Sequence, residues 1–179
     1  SPSLYKESIF LPTSINFITS HDGFTLKDLV TFNKKYNFAN KEQNRDGDNH
    51  NNSWNHGVEG PTSNLLIKKL RKRQQKNLLL SLFISKGVPM LLMGDEIGRS
   101  QGGNNNSWCQ NNTLGWMNWD KNQQDLELLN FLKYLIKLRK KFINLFSPIF
   151  SSNKLENETL VNYYWHGTKL EKPDWSSWS

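Results

Sequence analysis

Two long stretches of the chain show the apolar and polar pattern of amphipathic helices. Residues 124–146 carry apolar side chains at spacings of three and four, namely Leu128, Leu132, Leu135, Leu138, Phe142 and Leu145. That period places them on one face of a helix, with charged and amide side chains on the other. Residues 62–86 form the second predicted helix, capped by Thr62 or Ser63 and stopped by Gly87. Its second half is apolar nearly all round, which predicts burial.

Short β-branched and aromatic segments predict two buried strands. The first covers residues 14–20 and ends at the polar turn His21-Asp22-Gly23, and the second covers residues 88–93. A short helix is predicted over residues 25–37. Residues 38–61 and 97–123 are long polar loops, and loops of such length are usually functional. The order strand, loop, helix, strand, loop, helix predicts a parallel sheet with helices outside it.

Charge is distributed unevenly along the 179 residues. The 23 Lys and Arg residues exceed the 16 Asp and Glu residues by seven, and the excess lies in residues 62–90 and 124–149. Both segments are predicted helices, so a solvated helix face is favoured over a basic nucleic-acid-binding domain, which remains the alternative. The polar loops are neutral or slightly acidic, which argues against phosphate binding because that needs clustered Lys and Arg.

Other classes of protein are excluded by simple counts. The lone Cys109 has no partner for a disulfide within this chain. The apolar stretch over residues 78–84 is far shorter than the roughly 20 residues that a membrane span needs. No signal peptide is visible. A calcium loop starting at Asp46 would need Gly and Glu where Asn51 and Gly57 stand, and zinc and phosphate-loop spacings are missing. We therefore expect no metal site and no cofactor.

Carboxylates follow both predicted strands: Asp22 the first, Asp95 and Glu96 the second. At the carboxyl ends of parallel strands, a carboxylate can stabilise a developing positive charge, as glycosidases require. A salt bridge or turn cap is an equal alternative for Asp95 and Glu96, and a backbone hydrogen bond is an equal alternative for His21. The many Asn side chains suit sugar hydroxyls, and the aromatic faces of Trp54 and Trp108 could stack on sugar rings as an aromatic platform, with ordinary turn residues and core tryptophans as the alternatives.

A set of motifs in a fixed order is more specific than any of these patterns. The motifs are SINFITSHDGFTLKDL at 14–29, NRDG at 44–47, SWNHGVEGPT at 53–62, LRKRQ at 70–74, GVPMLLMGDEIGR at 87–99, QGGNNNSWCQNN at 101–112, WHGT at 165–168 and KPDW at 172–175. Together they resemble the α-amylase superfamily (glycoside hydrolase family 13), and more narrowly its glycogen debranching enzymes and isoamylases. The resemblance covers essentially the whole chain.

The resemblance implies an α/β fold, a partial (β/α)8 TIM barrel from about strand 7 to helix 8. Such enzymes hydrolyse α-glucosidic bonds with retention, using a nucleophilic Asp, an acid/base Glu and a third Asp that orients the substrate. The third carboxylate maps onto Asp22. His21 would hydrogen-bond the sugar, and the further substrate-binding residues would be Asn104, Asn105, Asn106 and Trp108. Asp95 and Glu96 match a structural region and are not expected to act as nucleophile or acid/base.

The resemblance also implies how the chain is organised and what it acts on. Residues 1–149 would be the C-terminal portion of the catalytic barrel, and residues 150–179 the beginning of a C-terminal β-sandwich domain. The nucleophile and acid/base would lie upstream of Ser1, so this piece alone is expected to be inactive. The expected substrate is a branched α-glucan, glycogen or amylopectin, cleaved at α-1,6 linkages. Neither nucleic acid nor a membrane is an expected partner, and the compartment would be cytoplasm in a bacterium or a plastid in a plant or alga.

One position departs from the family pattern. Asn111 stands where the family commonly has Asp, which removes a charge from a loop expected to shape branch binding. A non-catalytic glucan-binding or regulatory homologue is therefore the main alternative. Within the enzymes, a branching or trehalose-forming relative is the other.

Overall fold

The computed structural model describes residues 14–120, 122 and 124–142. The β-sandwich predicted for residues 150–179 and the last residues of the predicted helix over 124–146 lie outside this part of the chain. None of the helices in the described part is long and apolar enough to cross a membrane.

Strand β1 (Ile15–Asn16) pairs in parallel with strand β2 (Val88–Pro89). The Val88 amide donates to the Ser14 carbonyl, and the Met90 amide donates to the Asn16 carbonyl, both at 2.8 Å. The predicted parallel pairing is confirmed, but both strands are shorter than predicted. Gly87 directly precedes β2 and has a φ of +102°. A Cβ at this position would clash with Ser14, so glycine is required here.

Helix α1 (Leu26–Leu29) is a single turn, so the helix predicted over residues 25–37 was wrong beyond its first turn. Thr25 caps it by accepting from the Asp28 amide at 3.2 Å. Beyond the turn, distant acceptors take the amides that a longer helix would need. The Asn33 amide donates to the Glu59 carboxylate, and the Tyr36 amide donates to the Gly103 carbonyl. These long-range bonds compete successfully with local helix formation.

Helix α2 (Leu65–Ile84) confirms the first long predicted helix. Its N-cap is Asn64 and not Thr62 or Ser63, because the Asn64 Oδ1 accepts from the amides of both Leu66 and Ile67. Its apolar half is not buried all round. Leu79, Leu82 and Phe83 are buried, whereas Leu80 and Ile84 are exposed. The helix therefore contributes one apolar stripe to the described core.

Helix α3 (Leu126–Lys141) confirms the second long predicted helix, with Asp125 as its N-cap. The buried members of its predicted apolar face pack against α2 and α1. The core cluster consists of Leu26, Leu79, Leu82, Phe83, Leu128, Leu132 and Leu135. This packing holds α1, and with it the turn after β1, against the two long helices.

Several basic side chains of the two long helices form hydrogen bonds or ion pairs within the chain, where the sequence predicted a solvated helix face. Arg71 is buried and donates to the carbonyls of Asn55 and Gly60, so its predicted solvated position was wrong. Lys72 and Lys76 both bind the Glu127 carboxylate across the two helices. Three basic side chains of α2 therefore have partners within the chain.

Arg139 on α3 binds the carboxyl end of α2. Its Nη1 donates to the carbonyls of Phe83 and Ser85 at 2.7 and 2.8 Å, and its Nη2 donates to the Gly87 carbonyl. The last carbonyls of a helix have no partner within that helix, and a cation there also interacts favourably with the helix dipole. Arg139 therefore joins the end of α2 to the start of β2.

Candidate functional site

The turn between β1 and α1 presents the two residues predicted to be most closely involved in chemistry. The side chains of His21 and Asp22 are 88% and 79% exposed, and the His21 Nε2 lies 3.4 Å from the Asp22 Oδ2. The Ser20 hydroxyl donates to the Asp22 carbonyl at 3.0 Å, and the Gly23 amide donates to the Asn105 carbonyl at 2.9 Å. The turn thus holds both side chains out from the folded core.

Asp22 lies on the wall of an open cavity of about 590 Å³. One side of the wall is formed by residues between β1 and the end of α1, and the other comes from two polar loops. The lining residues from these loops are Gly47, Asp48, His50, Asn51, Asn52, Asn105 and Asn106. Of the site residues predicted from the sequence, Asp22, Asn105 and Asn106 line this cavity.

A network of asparagine amides joins the two loops. The Asn37 Nδ2 donates to the Asn105 Oδ1 at 2.8 Å, and the Asn105 amide donates to the Asn37 Oδ1 at 3.0 Å. The Asn105 Nδ2 also donates to the Asp48 carbonyl at 2.8 Å and to the Asn51 Oδ1 at 2.5 Å. Because an amide side chain both donates and accepts, it can close such reciprocal pairs without any charge.

Asn104 lies beneath this pair and is fully buried. Its Nδ2 donates to the Asn40 Oδ1 at 2.9 Å, and its Oδ1 accepts from the Asn106 amide at 2.9 Å. The side-chain amides of Asn104 and Asn105 therefore bind other parts of the protein. Their geometry fits a role in holding the loops better than the substrate contact predicted for them. Asn106 is only half-buried and retains access to the cavity.

The predicted aromatic platform is exposed but lies outside the cavity wall. Trp108 is 79% exposed in a 3₁₀ turn that spans Ser107–Cys109. Trp54 is 67% exposed, and its ring stacks on the ring of His56 with centroids 5.2 Å apart. Asn111, the departure from the family pattern, accepts from the indole Nε1 of Trp116 at 3.0 Å. An Asp at this position could accept the same hydrogen bond, so the substitution changes the charge and keeps the acceptor.

Two fully buried carboxylates support the site. Asp28 accepts from the Ser100 hydroxyl and the Gln101 amide, and burial raises its pKa. Asp95 accepts from the Thr19 hydroxyl and the Leu26 amide, and burial raises its pKa to about 6 despite these bonds. A salt bridge or turn cap was the alternative to a functional role for Asp95, and its carboxylate accepts from the Leu26 amide at the start of α1. No sequence pattern indicated that Asp28 is buried.

The sequence marked residues 38–61 as a long polar loop of the kind that is usually functional and rejected a calcium site in it, but it named none of the residues of this loop that line the cavity as site residues. Asp48, His50 and Asn51 all line the wall. Asn tolerates positive φ better than most residues, and Asn44 and Asn52 have φ of +61° and +49°. The many Asn residues of this loop are therefore the signal that could have indicated its tight turns. Within the described residues, no group of three or more His, Cys, Asp or Glu side chains is placed to hold a metal ion.

Comparisons with known proteins point to one group of enzymes. The chain is 47% identical over 180 residues to the chloroplastic isoamylase 1 of Oryza sativa subsp. japonica, a match that covers all of this chain and 22% of that protein. It is 51% identical over 141 residues to the glycogen operon protein GlgX homolog of Mycobacterium tuberculosis (strain ATCC 25618 / H37Rv), which covers 78% of this chain and 20% of that protein.

A third relative is the glycogen debranching enzyme of Dickeya chrysanthemi, 55% identical over 127 residues, which make up 71% of this chain and 19% of that protein. No family model matches the chain. The chain spans about a fifth of the length of these relatives. Identity at this level over most of the chain shows that it belongs to the isoamylases and glycogen debranching enzymes of glycoside hydrolase family 13.

Proposed function

We propose that the protein carrying this chain hydrolyses α-1,6-glucosidic branch linkages in glycogen or a starch-like glucan, with retention. The observation that carries the proposal is the exposed carboxylate of Asp22 on the wall of an open cavity whose lining includes four asparagines. Amide side chains offer a donor and an acceptor side by side, which suits the vicinal hydroxyls of a sugar. The names of the relatives, isoamylase and glycogen debranching enzyme, support the substrate class.

We propose that β1 and β2 are neighbouring strands of a (β/α)8 barrel, with residues 1–149 in that barrel. The parallel pairing of β1 with β2 and the helical connection between them support this fold. In such barrels the active site lies where the strands end at their carboxyl side. Asp22 follows β1 and Asp95 follows β2 at that end, which is where the cavity opens.

Asp22 is proposed as the carboxylate that orients the substrate and stabilises the transition state. Glycoside hydrolysis passes through an oxocarbenium-like transition state, and a nearby carboxylate lowers its energy electrostatically. His21, close to Asp22, is proposed to hydrogen-bond hydroxyls of the sugar that is cleaved. Asn106, His50 and Asn51 are proposed as further polar contacts, because they line the same wall as Asp22.

The test is the Asp22→Asn variant of the intact protein, assayed for release of linear chains from amylopectin. We expect turnover to fall about 10²–10³-fold, the usual cost of removing one electrostatic stabiliser from an active site. The melting temperature should change little because the side chain is exposed. The matched control is Glu42→Gln, an exposed carboxylate outside the cavity wall. Near-normal turnover of Asp22→Asn would refute the role, and absence of any hydrolysis by the wild type would favour the regulatory homologue.

The compartment follows from the same relatives. They include chloroplastic plant isoamylases and bacterial glycogen operon proteins. We propose a plastid if the protein comes from a plant or alga, and the cytoplasm if it comes from a bacterium. Branched glucan is the proposed partner, and no nucleic acid or membrane is required by this function.

A further inference from the structure

The turn that carries Asp22 has exposed side chains at its centre. It covers residues 20–25; His21 and Asp22 are exposed, so packing does not fix their side chains, whereas Phe24 and Thr25 at the end of the turn are buried. Within residues 20–23, the hydrogen bonds are the one from the Ser20 hydroxyl to the Asp22 carbonyl and the one from the Gly23 amide to the Asn105 carbonyl. Gly23 has a φ of +106°, and a Cβ there would touch nothing within 4 Å. The position of Asp22 therefore depends on how the ends of the turn are held.

One buried carboxylate holds both ends. The Asp95 Oδ2 accepts from the hydroxyl of Thr19, the residue before the turn. The Asp95 Oδ1 accepts at 2.9 Å from the amide of Leu26, the first residue of α1 after the turn. Asp95 follows β2, begins a 3₁₀ turn over Asp95–Ile97 and is 1% exposed. It joins the second strand to both boundaries of a segment that starts from the first.

We infer that Asp95 is a positioning residue for Asp22, because its carboxylate closes the turn at Thr19 and Leu26 and so fixes where the Asp22 side chain enters the cavity. The expected effect of Asp95 on activity rests on the proposed function. The closure of the turn, meaning the two hydrogen bonds from Thr19 and Leu26 to Asp95, does not depend on that function. A carboxylate suits this task because it offers two acceptor oxygens to two donors that arrive from opposite ends of the turn.

Burying this carboxylate costs free energy, which a purely packing role would not require. Burial raises the pKa of Asp95 to about 6, the Thr19 and Leu26 bonds oppose the rise, and Glu96 and Arg99 act with opposite signs. An apolar side chain of similar size would avoid the cost. A side chain with two hydrogen-bonding atoms at this position is consistent with the need to hold both donors at once.

Asparagine should replace Asp95 with little loss. Its Oδ1 can accept from the Leu26 amide while its Nδ2 donates to the Thr19 hydroxyl, so both contacts persist. Leucine has similar volume but no polar atom, so Asp95→Leu removes both contacts. Thr19→Val removes one contact, leaves the Leu26 bond in place and guards against a folding failure of the leucine variant.

The first measurement is hydrogen–deuterium exchange of the intact protein on peptides that cover residues 19–27, which needs no activity. For Asp95→Leu we expect exchange of the turn and of the Leu26 amide to become at least about tenfold faster, since the Leu26 amide loses the buried hydrogen bond that protects it. Asp95→Asn should exchange like the wild type, and Thr19→Val should lie between them. Unchanged exchange in Asp95→Leu would refute the closure, whatever the protein hydrolyses.

The second measurement is debranching of amylopectin. A misplacement of about 1 Å in a catalytic group costs roughly 10²-fold, so kcat of Asp95→Leu should fall by that order while Asp95→Asn stays within about threefold of the wild type. Leu135→Ala, a core truncation in α3, controls for lost stability and should keep its kcat below its melting temperature. Equal kcat for Asp95→Leu and the wild type would overturn the inference.

A double variant separates positioning from general damage. If Asp95 acts through Asp22, adding Asp95→Leu to Asp22→Asn should lower the remaining rate by less than about threefold, because residues that act as a unit are not additive. A further loss of about 10²-fold in the double variant would contradict the inference. A wild type that releases no chains, with the exchange results as expected, would refute the proposed function and leave the closure established.

Discussion

Arg71 offers a sharp test of how the fold holds the loop beside the site. Its guanidinium is 6% exposed, and it donates to the carbonyls of Gly60 at 2.7 Å and Asn55 at 2.8 Å, and also to the carbonyl of Val58. A planar fork with five N–H donors can serve these separated acceptors together. A lysine ammonium is a point charge on a flexible stem, so Arg71→Lys should leave at least one or two of these carbonyls without a donor.

The magnitude follows from these contacts. A hydrogen bond to a charged group contributes about 1.5–3 kcal/mol, so losing two of them lowers the local opening free energy of residues 55–60 by about 3–6 kcal/mol. A change of 1.4 kcal/mol is a factor of ten, so amide exchange in this loop should accelerate by at least about 10²-fold. The amides that report it are those of Gly60, bonded to Thr31, and Trp54, bonded to Leu29, both at 3.0 Å.

The assay is hydrogen–deuterium exchange with mass spectrometry on peptides that span residues 53–61 of the intact protein. The matched control is Arg73→Lys, which makes the same chemical change two residues away at an exposed position of the same helix. The control should exchange like the wild type. Acceleration of amide exchange by less than about threefold in Arg71→Lys would refute the reasoning, because it would mean that the loop does not depend on the hydrogen bonds from the guanidinium group.

Three further predictions follow from local geometry. Gly87→Ala should weaken the pairing of β1 with β2 by more than about 1 kcal/mol, since φ is +102° and a Cβ would meet Ser14 atoms at 2.3 and 2.5 Å; thermal unfolding checks it. Asn105→Ala should accelerate amide exchange over residues 47–52, because it removes the bonds to Asp48 and Asn51. Hydrogen bonds from Lys72 and Lys76 lower the pKa of Glu127 to about 2. The wild type should therefore lose a small contribution to stability as the pH falls from about 4.5 to 2, and Glu127→Gln should lack that contribution at every pH. Acid titration of unfolding at low and high salt checks it.

The long helices could be predicted from the sequence because their signal is local. The 3.6-residue period of α3 correctly identified Leu128, Leu132 and Leu135 as its buried face. The same approach failed for residues 30–37, where the amides of Asn33 and Tyr36 bind acceptors that lie 26 and 67 residues further along the chain. No pattern within the segment records such distant partners, so local propensity favoured a helix that tertiary contacts prevent.

The site residues could likewise be predicted where a local motif identifies them, but not where contacts with distant residues decide their burial. The motif around Asp22 identified an exposed carboxylate at the end of a strand, and the structure places it on a cavity wall. Burial of Asn104, Asn105 and Arg71 could not be inferred, because each is decided by contacts with residues remote in sequence. A residue type suited to sugar binding is also suited to joining loops, and only exposure tells the two uses apart.

That ambiguity has a physical origin in the neutral amide itself. Loops that line a polar cavity must satisfy their own buried donors and acceptors, because an unpaired buried polar group costs several kcal/mol. Asparagine pairs such as Asn37 with Asn105 join the loops with no net charge. Charged groups take part as well: the buried Lys35 ammonium donates to the carbonyls of Arg45, Asp46 and Gly47. The Asp46 carboxylate accepts from the side chains of Asn40 and Asn106. The loops beside the exposed Asp22 are therefore joined by neutral asparagine pairs together with one lysine and one carboxylate.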